Sequence, residues 1–193
     1  MSVLTPANQL TLTRVMLVPA FVILTVYGYL GWALIVFAVA GLTDLLDGLI
    51  ARKFSRRTSL GAWLDPMADK LLIVATVVVL TLPGLGLVNK LPVWLTILII
   101  SRDLLIVGAV AVINLAIGRR EFRPSIYGKI ATATYIITCV LIMYFNYLQR
   151  TSPIVTVAIW ASAVITLVSG FHYVFNVTKI INQGEGSISN RQS

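Results

Sequence analysis

The chain has 193 residues, of which 58% are hydrophobic and 11% charged, and a formal net charge of +8 at pH 7. Soluble domains carry roughly 25% charged residues, so this composition excludes an ordinary soluble globule and indicates a single membrane domain. The basic residues lie in short gaps between apolar runs, which indicates membrane orientation and argues against nucleic-acid binding.

Six apolar runs approach the roughly 20 residues that a helix needs to cross a bilayer. They predict helices over 13–30, 32–52, 59–82, 91–117, 125–148 and 153–178. The expected fold class is therefore an all-α integral membrane bundle of six transmembrane helices. We expect one domain over residues 1–181, with a short interfacial segment at 1–12. The polar residues 182–193 are expected to form a disordered tail.

Basic residues are distributed unevenly between alternate loops. Seven of the 15 fall in the loop between the second and third helices or in the region between the fourth and fifth: Lys53, Arg56, Arg57, Arg119, Arg120, Arg123 and Lys129. The loops on the opposite face offer only Lys90 and Arg150. The positive-inside rule then places both termini and both basic loops in the cytoplasm. We expect a prokaryotic inner membrane, because the chain is compact and lacks an organellar presequence.

Four of the seven acidic residues fall inside the second and third predicted helices: Asp44, Asp47, Asp65 and Asp69. Each intramembrane charge costs about 3 kcal/mol even on insertion scales, so four like charges require bound cations. Their spacings of three and four residues put each pair on one helical face. An antiparallel pair of these helices would gather the carboxylates in a polar cavity open to the cytoplasm.

A set of four carboxylates is a hard-oxygen site, suited to Mg²⁺ or Mn²⁺ rather than zinc, with room for two ions. Paired metal ions clamp a phosphate or pyrophosphate and stabilise charge on the leaving phosphate. The pattern therefore predicts divalent-metal-dependent phosphoryl-type chemistry. Gly48 and Gly61 are in register with the carboxylates, where the missing side chain allows a nucleotide or a partner helix to approach closely.

Residues 43–70 carry the pattern Asp44-x2-Asp47-Gly48-x2-Ala51-Arg52-x8-Gly61-x3-Asp65-x3-Asp69. This pattern resembles the signature of the CDP-alcohol phosphatidyltransferases at every signature position. The resemblance implies a six-helix homodimer that uses CDP-diacylglycerol as donor and releases CMP. It also implies that Asp44, Asp47 and Asp65 hold two divalent cations, while Asp69 ligates metal and acts as catalytic base on the acceptor hydroxyl. The implied nucleotide-binding residues are Asp47, Gly48, Ala51, Arg52, Gly61 and Asp65.

Residues outside the signature bear on the acceptor. Arg102 interrupts the fourth helix, where it either binds the acceptor or forms a structural charge pair with Asp103. Arg119, Arg123 and Lys129 are further acceptor-binding candidates, because arginine and lysine bind phosphate; a solvated, orienting loop is the alternative. The two interpretations thus assign these basic residues either to acceptor binding or to a structural or orienting role.

Two stretches of sequence refine the resemblance. GRREFRPSIYGKIATA at 118–133 is similar to a region of the phosphatidylglycerophosphate synthases of the family. The SRD sequence and RPS-x2-GK-x2-T are also similar to its cardiolipin synthases. We therefore predict glycerol 3-phosphate as acceptor, giving phosphatidylglycerophosphate, with phosphatidylglycerol as the alternative acceptor in a cardiolipin synthase.

Two other classes of protein compete with this interpretation. Buried carboxylates also mark ion paths, so a cation-coupled membrane transporter is one alternative, although no internal repeat supports duplicated halves. A catalytically silent lipid-binding scaffold is the other. Loss of catalysis should allow the costly aspartates to be replaced by apolar residues, and none of the four has been replaced.

Overall fold

The computed structural model describes residues 6–54, 59–116 and 126–189, with side chains described within 12–43, 70–109 and 126–175. This part of the chain is all-helical. The helices are α1 (Pro6–Val26), α2 (Leu30–Phe54), α3 (Ser59–Thr81), α4 (Val93–Ala116), α5 (Ile126–Tyr147) and α6 (Pro153–Ser189). The all-α class and the six predicted helices are thus confirmed.

The largest differences from the predicted bounds are at the two termini. Helix α1 begins at Pro6, so residues 6–12 continue into α1 rather than forming a separate segment. Helix α6 extends to Ser189, so residues 182–189, which we expected to be disordered, are helical. A formed helix gains one hydrogen bond per added residue without a new nucleation step, and no proline interrupts either extension.

Helices α1 and α5 end in the same hydrogen-bonded motif, in which a residue of left-handed conformation follows the last turn. At α1 this residue is Gly28, with φ of 80°, and the next amide, of Tyr29, donates to Leu24 O at 2.8 Å. At α5 it is Gln149, with φ of 53°. Glycine adopts this conformation without strain, so Gly28 suits the turn between α1 and α2.

The described helices group into two compact units. Unit 1 is Met1–Leu91 with Cys139–Val155, and unit 2 is Pro92–Thr138 with Thr156–Ser193. In unit 1, α1 packs against both α2 and α3. The α1–α2 contact includes the rings of Phe21 and Phe37, whose centroids are 5.8 Å apart.

The segment between α3 and α4 is hydrogen-bonded to the end of α5 within unit 1. The fully buried side chain of Asn146 accepts from the Asn89 amide at 2.7 Å and donates to the Asn89 carbonyl at 2.8 Å. The Asn89 side chain in turn donates to the carbonyl of Arg150 at 2.7 Å. One asparagine therefore satisfies both backbone polar groups of a buried loop residue.

We expect Asn146→Leu to destabilise the protein by about 1–3 kcal/mol, because it leaves the buried Asn89 amide and carbonyl without these partners. The measurement is thermal unfolding in detergent. Thr134→Val is the control, since among the described residues the Thr134 hydroxyl bonds within its own helix, to Ile130 O. Equal melting temperatures for the two variants would contradict the assigned role of Asn146.

In unit 2, α4 and α6 run parallel in a constant register. Three pairs of residues link them, each separated by 66 or 67 positions: Trp94 with Trp160, Arg102 with Ser169, and Ile106 with Tyr173. The Trp94 and Trp160 ring centroids are 5.6 Å apart. The Tyr173 hydroxyl donates to the Ile106 carbonyl at 3.2 Å. A constant difference in residue number requires parallel helices.

Helices α5 and α6 run antiparallel in unit 2, because their paired residue numbers have a nearly constant sum. The pairs are Tyr127 with His172, Tyr135 with Thr166, and Thr138 with Ser162. The hydroxyls of Tyr135 and Thr166 are 2.7 Å apart. A polar stripe on α6 (Ser162, Thr166, Ser169) thereby holds both neighbouring helices. Interhelical hydrogen bonds of this kind are a typical fastening between membrane helices.

Two helices of the described part are long and apolar enough to cross a membrane, Ile126–Tyr147 and Pro153–Phe175. Three apolar helical stretches are shorter: Leu12–Val26, Leu30–Thr43 and Lys70–Thr81. Val157, Phe171 and Phe175 on α6 are 65–74% exposed, as expected for a surface that faces hydrocarbon. Membrane association is therefore supported, while the number of spans stays a prediction.

Candidate active site

The signature aspartates lie on two helices of unit 1. Asp44 and Asp47 belong to the second half of α2, and Asp65 and Asp69 to the first half of α3. Both segments are helical, so aspartates separated by three or four residues share one face of their helix. The side chains of residues 44–69 are outside the described part of the structure.

The buried face of α2 leads directly to its aspartates. Leu30, Ala33, Phe37 and Ala40 are buried at successive spacings of three or four residues. The same register continues to positions 44, 47 and 51, which carry Asp44, Asp47 and Ala51.

The buried face of α3 behaves in the same way when it is followed towards the amino end. Leu72 and Thr76 are buried, and the Thr76 hydroxyl donates to the Leu72 carbonyl at 2.7 Å. Asp69 lies three residues before Leu72, and Asp65 lies four residues before Asp69. Both aspartate pairs therefore fall, by spacing alone, on the register set by these buried residues.

The remaining nucleotide-binding candidates are on the same two helices. Gly48, Ala51 and Arg52 belong to α2 and Gly61 to α3. Their side chains and surroundings also lie outside the described residues. Their predicted roles remain predictions.

The donor set of four carboxylates fits a hard divalent cation by its chemistry. Among the side chains that the structure describes, no group of three or more His, Cys, Asp or Glu could hold a metal ion. The four aspartates are outside that set, so the predicted metal site stays a prediction.

Arg14 is a buried charge that our sequence analysis did not single out. It lies on α1, the helix that packs against both aspartate-bearing helices, and is only 1% exposed. Arg14, Val18, Phe21 and Thr25 are buried at helical spacing, so the arginine belongs to the inward face of α1. This spacing was visible in the sequence, because Arg14 precedes Val18 and Phe21 by four and seven residues.

The acceptor candidates fall into different environments. Arg102 is 7% exposed and pairs with Asp103 at 2.7 Å between Nη1 and Oδ1. Its Nη2 donates to Ser169 Oγ at 2.5 Å, and its buried Nε has no hydrogen-bond partner in the described part of the chain. Lys129 is exposed near the start of α5, and Arg119 and Arg123 lie outside the described residues.

Comparison with known families identifies the chain. Residues 4–168 match the model of the CDP-alcohol phosphatidyltransferase family, a range that contains the whole aspartate signature. The chain belongs to the CDP-alcohol phosphatidyltransferase family. The resemblance inferred from the signature is confirmed, and membrane association is in keeping with this family.

Several relatives are similar over most of the chain. A probable phosphatidylglycerophosphate synthase of Mycobacterium tuberculosis is 34% identical over 177 residues, covering 87% of this chain and 79% of the relative. The CDP-diacylglycerol–glycerol-3-phosphate 3-phosphatidyltransferase of Bacillus subtilis is 32% identical over 184 residues, covering 86% and 91%. The human CMP-forming cardiolipin synthase is 48% identical over 104 residues, covering 53% of this chain and 33% of the relative.

Proposed function

We propose that this phosphatidyltransferase transfers the phosphatidyl group of CDP-diacylglycerol to glycerol 3-phosphate, giving phosphatidylglycerophosphate and CMP. The observation that carries the proposal is the similarity, over 86% of this chain and 91% of the relative, to the CDP-diacylglycerol–glycerol-3-phosphate 3-phosphatidyltransferase of Bacillus subtilis. The similarity to a probable phosphatidylglycerophosphate synthase over 87% of this chain agrees with it. The complete aspartate signature within the matched family region supports the chemistry.

The proposed reaction is a displacement at phosphorus. Asp69 accepts the proton of an acceptor hydroxyl, and the hydroxyl oxygen forms a bond to the phosphorus that bears diacylglycerol. The bond from this phosphorus to the bridging oxygen of the pyrophosphate breaks, and CMP leaves. A base must lie within hydrogen-bond reach of the proton that it removes, so Asp69 is assigned a position beside the acceptor hydroxyl.

Asp44, Asp47, Asp65 and Asp69 would hold two divalent cations, Mg²⁺ or Mn²⁺. Such ions supply charge stabilisation for the pyrophosphate. Beside them, Gly48 and Gly61 leave room for the cytidine diphosphate, and Arg52 supplies a cation near its phosphates. The spacing supports this assignment, because both aspartate pairs are in helical register with the buried residues Phe37 and Ala40 of α2 and Leu72 of α3.

For the acceptor phosphate we propose Lys129, Arg119 and Arg123, whereas we assign the fourth candidate, Arg102, a structural role. Lys129 is exposed in unit 2, so its ammonium group is accessible to a soluble anion. The largely buried Arg102 already pairs with Asp103 and donates to Ser169, so its contacts link helices α4 and α6. We therefore assign binding of the acceptor phosphate to Lys129 and the loop arginines.

We further propose six membrane spans with both termini and the aspartate cavity on the cytoplasmic side of a prokaryotic inner membrane. The support is the concentration of basic residues in alternate loops. A homodimer is proposed on the family resemblance alone.

A cardiolipin synthase is the second candidate, with phosphatidylglycerol as acceptor. It is favoured by the higher local identity of 48% to the human cardiolipin synthase over 104 residues. Both reactions join phosphatidyl to a glycerol hydroxyl, so the same catalytic groups serve either acceptor. The acceptor pocket alone distinguishes them.

The test is CMP release by the purified enzyme from CDP-diacylglycerol, with each acceptor supplied separately. We expect turnover with glycerol 3-phosphate and background rates with phosphatidylglycerol, inositol phosphate and serine. EDTA should reduce the rate to background, and Mg²⁺ or Mn²⁺ should restore it. Faster CMP release with phosphatidylglycerol than with glycerol 3-phosphate would identify a cardiolipin synthase instead. Cation flux in proteoliposomes without CMP release would support the transporter alternative.

A further inference from the structure

Unit 1 carries a groove at the end where α1 turns into α2. The groove has a volume of about 580 Å³. It is lined by residues 28–32, by Leu34 and Ile35 of α2, and by Tyr147 and Gln149 at the end of α5. The signature aspartates are at the other end of α2, so this groove is separate from the candidate active site.

The shape of the groove depends on two positions with positive φ and on one glycine within α2. Gly28 and Gln149 both have positive φ and turn the chain away at the ends of α1 and α5. Gly31 has no side chain, and a Cβ added there would be 3.0 Å from Cε2 of Tyr147. The tyrosine ring therefore lies directly against α2 and forms one wall of the groove.

Aromatic side chains with a polar group surround the groove and are exposed. Tyr27 is 74% exposed, Tyr29 61%, Trp32 65% and Tyr147 57%. Tyrosine and tryptophan are enriched where a protein meets the boundary between lipid headgroups and hydrocarbon, because one end of the ring is apolar and the other is polar. This composition indicates a lipid boundary at this end of unit 1.

The same end carries positive charge without any acid. Lys90 and Arg150 are both exposed, and the hydrogen bond from the Asn89 side chain to the Arg150 carbonyl joins the two segments that bear them. Arg150 directly follows the groove residue Gln149. None of the residues in 27–35, 82–92 and 144–152 is acidic. An anionic headgroup therefore meets only attractive charge here.

We propose that this end of unit 1 binds an anionic phospholipid. Lys90 and Arg150 contact the headgroup phosphate, Tyr29 and Trp32 flank the glycerol region, and an acyl chain begins in the groove against Tyr147. Charge complementarity selects an anionic lipid over a zwitterionic one, and the apolar lining selects a lipid over a free phosphate. The site is independent of the transfer reaction, because it uses none of the groups assigned to catalysis.

The experiment is native mass spectrometry of the full-length protein purified from mixed micelles that contain equal amounts of phosphatidylserine and phosphatidylcholine. Phosphatidylserine is the anionic probe because it is neither the proposed donor nor a proposed acceptor. We expect the wild-type protein to retain phosphatidylserine preferentially. The double variant Lys90→Gln/Arg150→Gln should retain roughly tenfold less of it.

Two further variants separate the charge effect from the groove. Lys179→Gln/Arg191→Gln removes the same charge elsewhere in the chain and should retain phosphatidylserine like the wild type. Gly31→Val keeps all charges, displaces the Tyr147 ring and should also lower retention. Thermal unfolding of each variant in detergent reports that it is folded.

Equal retention of the two lipids by the wild type would overturn the proposal. Equal retention of phosphatidylserine by the wild type and the Lys90→Gln/Arg150→Gln variant would also overturn it. Retention of lipid with the expected preference in a preparation that releases no CMP would leave this site standing while the proposed reaction fails. The two proposals are therefore tested separately.

Discussion

The Asp69→Asn variant is expected to release CMP about 10²–10⁴-fold more slowly than the wild type, the usual contribution of a general base. Asparagine keeps the shape of the side chain but has no negative charge. It therefore cannot take the proton from the hydroxyl of glycerol 3-phosphate at neutral pH. The measurement is the initial rate of CMP formation from CDP-diacylglycerol and glycerol 3-phosphate at saturating Mg²⁺.

A titration with Mg²⁺ distinguishes the two roles proposed for Asp69. If this residue contributes only as a metal ligand, higher Mg²⁺ should restore much of the rate. If it is the base, the maximal rate should stay low at every metal concentration. Glu185→Gln removes a carboxylate outside the signature and serves as the control. Full activity of Asp69→Asn would contradict both roles.

The Arg102→Leu variant is expected to lose about 3–5 kcal/mol of stability, the usual effect of removing one partner of a buried ion pair. The pair is largely buried, with side-chain exposures of 7% for Arg102 and 12% for Asp103. Without the arginine, the Asp103 carboxylate has no compensating charge from this pair. Thermal unfolding in detergent measures the effect.

The double variant Arg102→Leu/Asp103→Leu should recover most of the lost stability, because no uncompensated charge then remains at the pair. Ser169→Ala removes one hydrogen bond to Arg102 and should cost only about 0.6 kcal/mol, the average for interhelical bonds in membranes. If Arg102 instead binds the acceptor phosphate, Arg102→Leu should raise the KM for glycerol 3-phosphate with an unchanged melting temperature. That outcome would contradict the structural assignment.

The structure supports separate roles for the charges that the sequence placed together as acceptor candidates. Arg102 is fixed by partners on its own helix and on α6, whereas Lys129 is exposed on α5. Sequence spacing does not reveal this difference, because Ser169 lies 67 residues from Arg102. The acceptor preference therefore has to be decided by the substrate comparison and not by charge counting.

The six helices were predictable because their signals are local. Each helix is indicated by an apolar run of sufficient length. The chain breaks between helices are marked by nearby residues, such as Gly28 at the first turn and Ser152 with Pro153 before α6. The aspartate spacing was equally local, and it also carried the family resemblance that the comparison confirmed. The helical ends were less predictable, since continuation of α6 to Ser189 depends on helix propagation rather than on composition.

The sequence by itself determined the membrane class, the helices and the position of the candidate active site, because composition, hydrophobic run length and helical spacing act within one segment. Only the tertiary structure decided that the Asn146 side chain bonds to the backbone of Asn89 and that Ser169 accepts a hydrogen bond from Arg102. Each of these depends on packing between segments far apart in the chain. Such packing depends on the joint fit of several helices, which no single segment encodes.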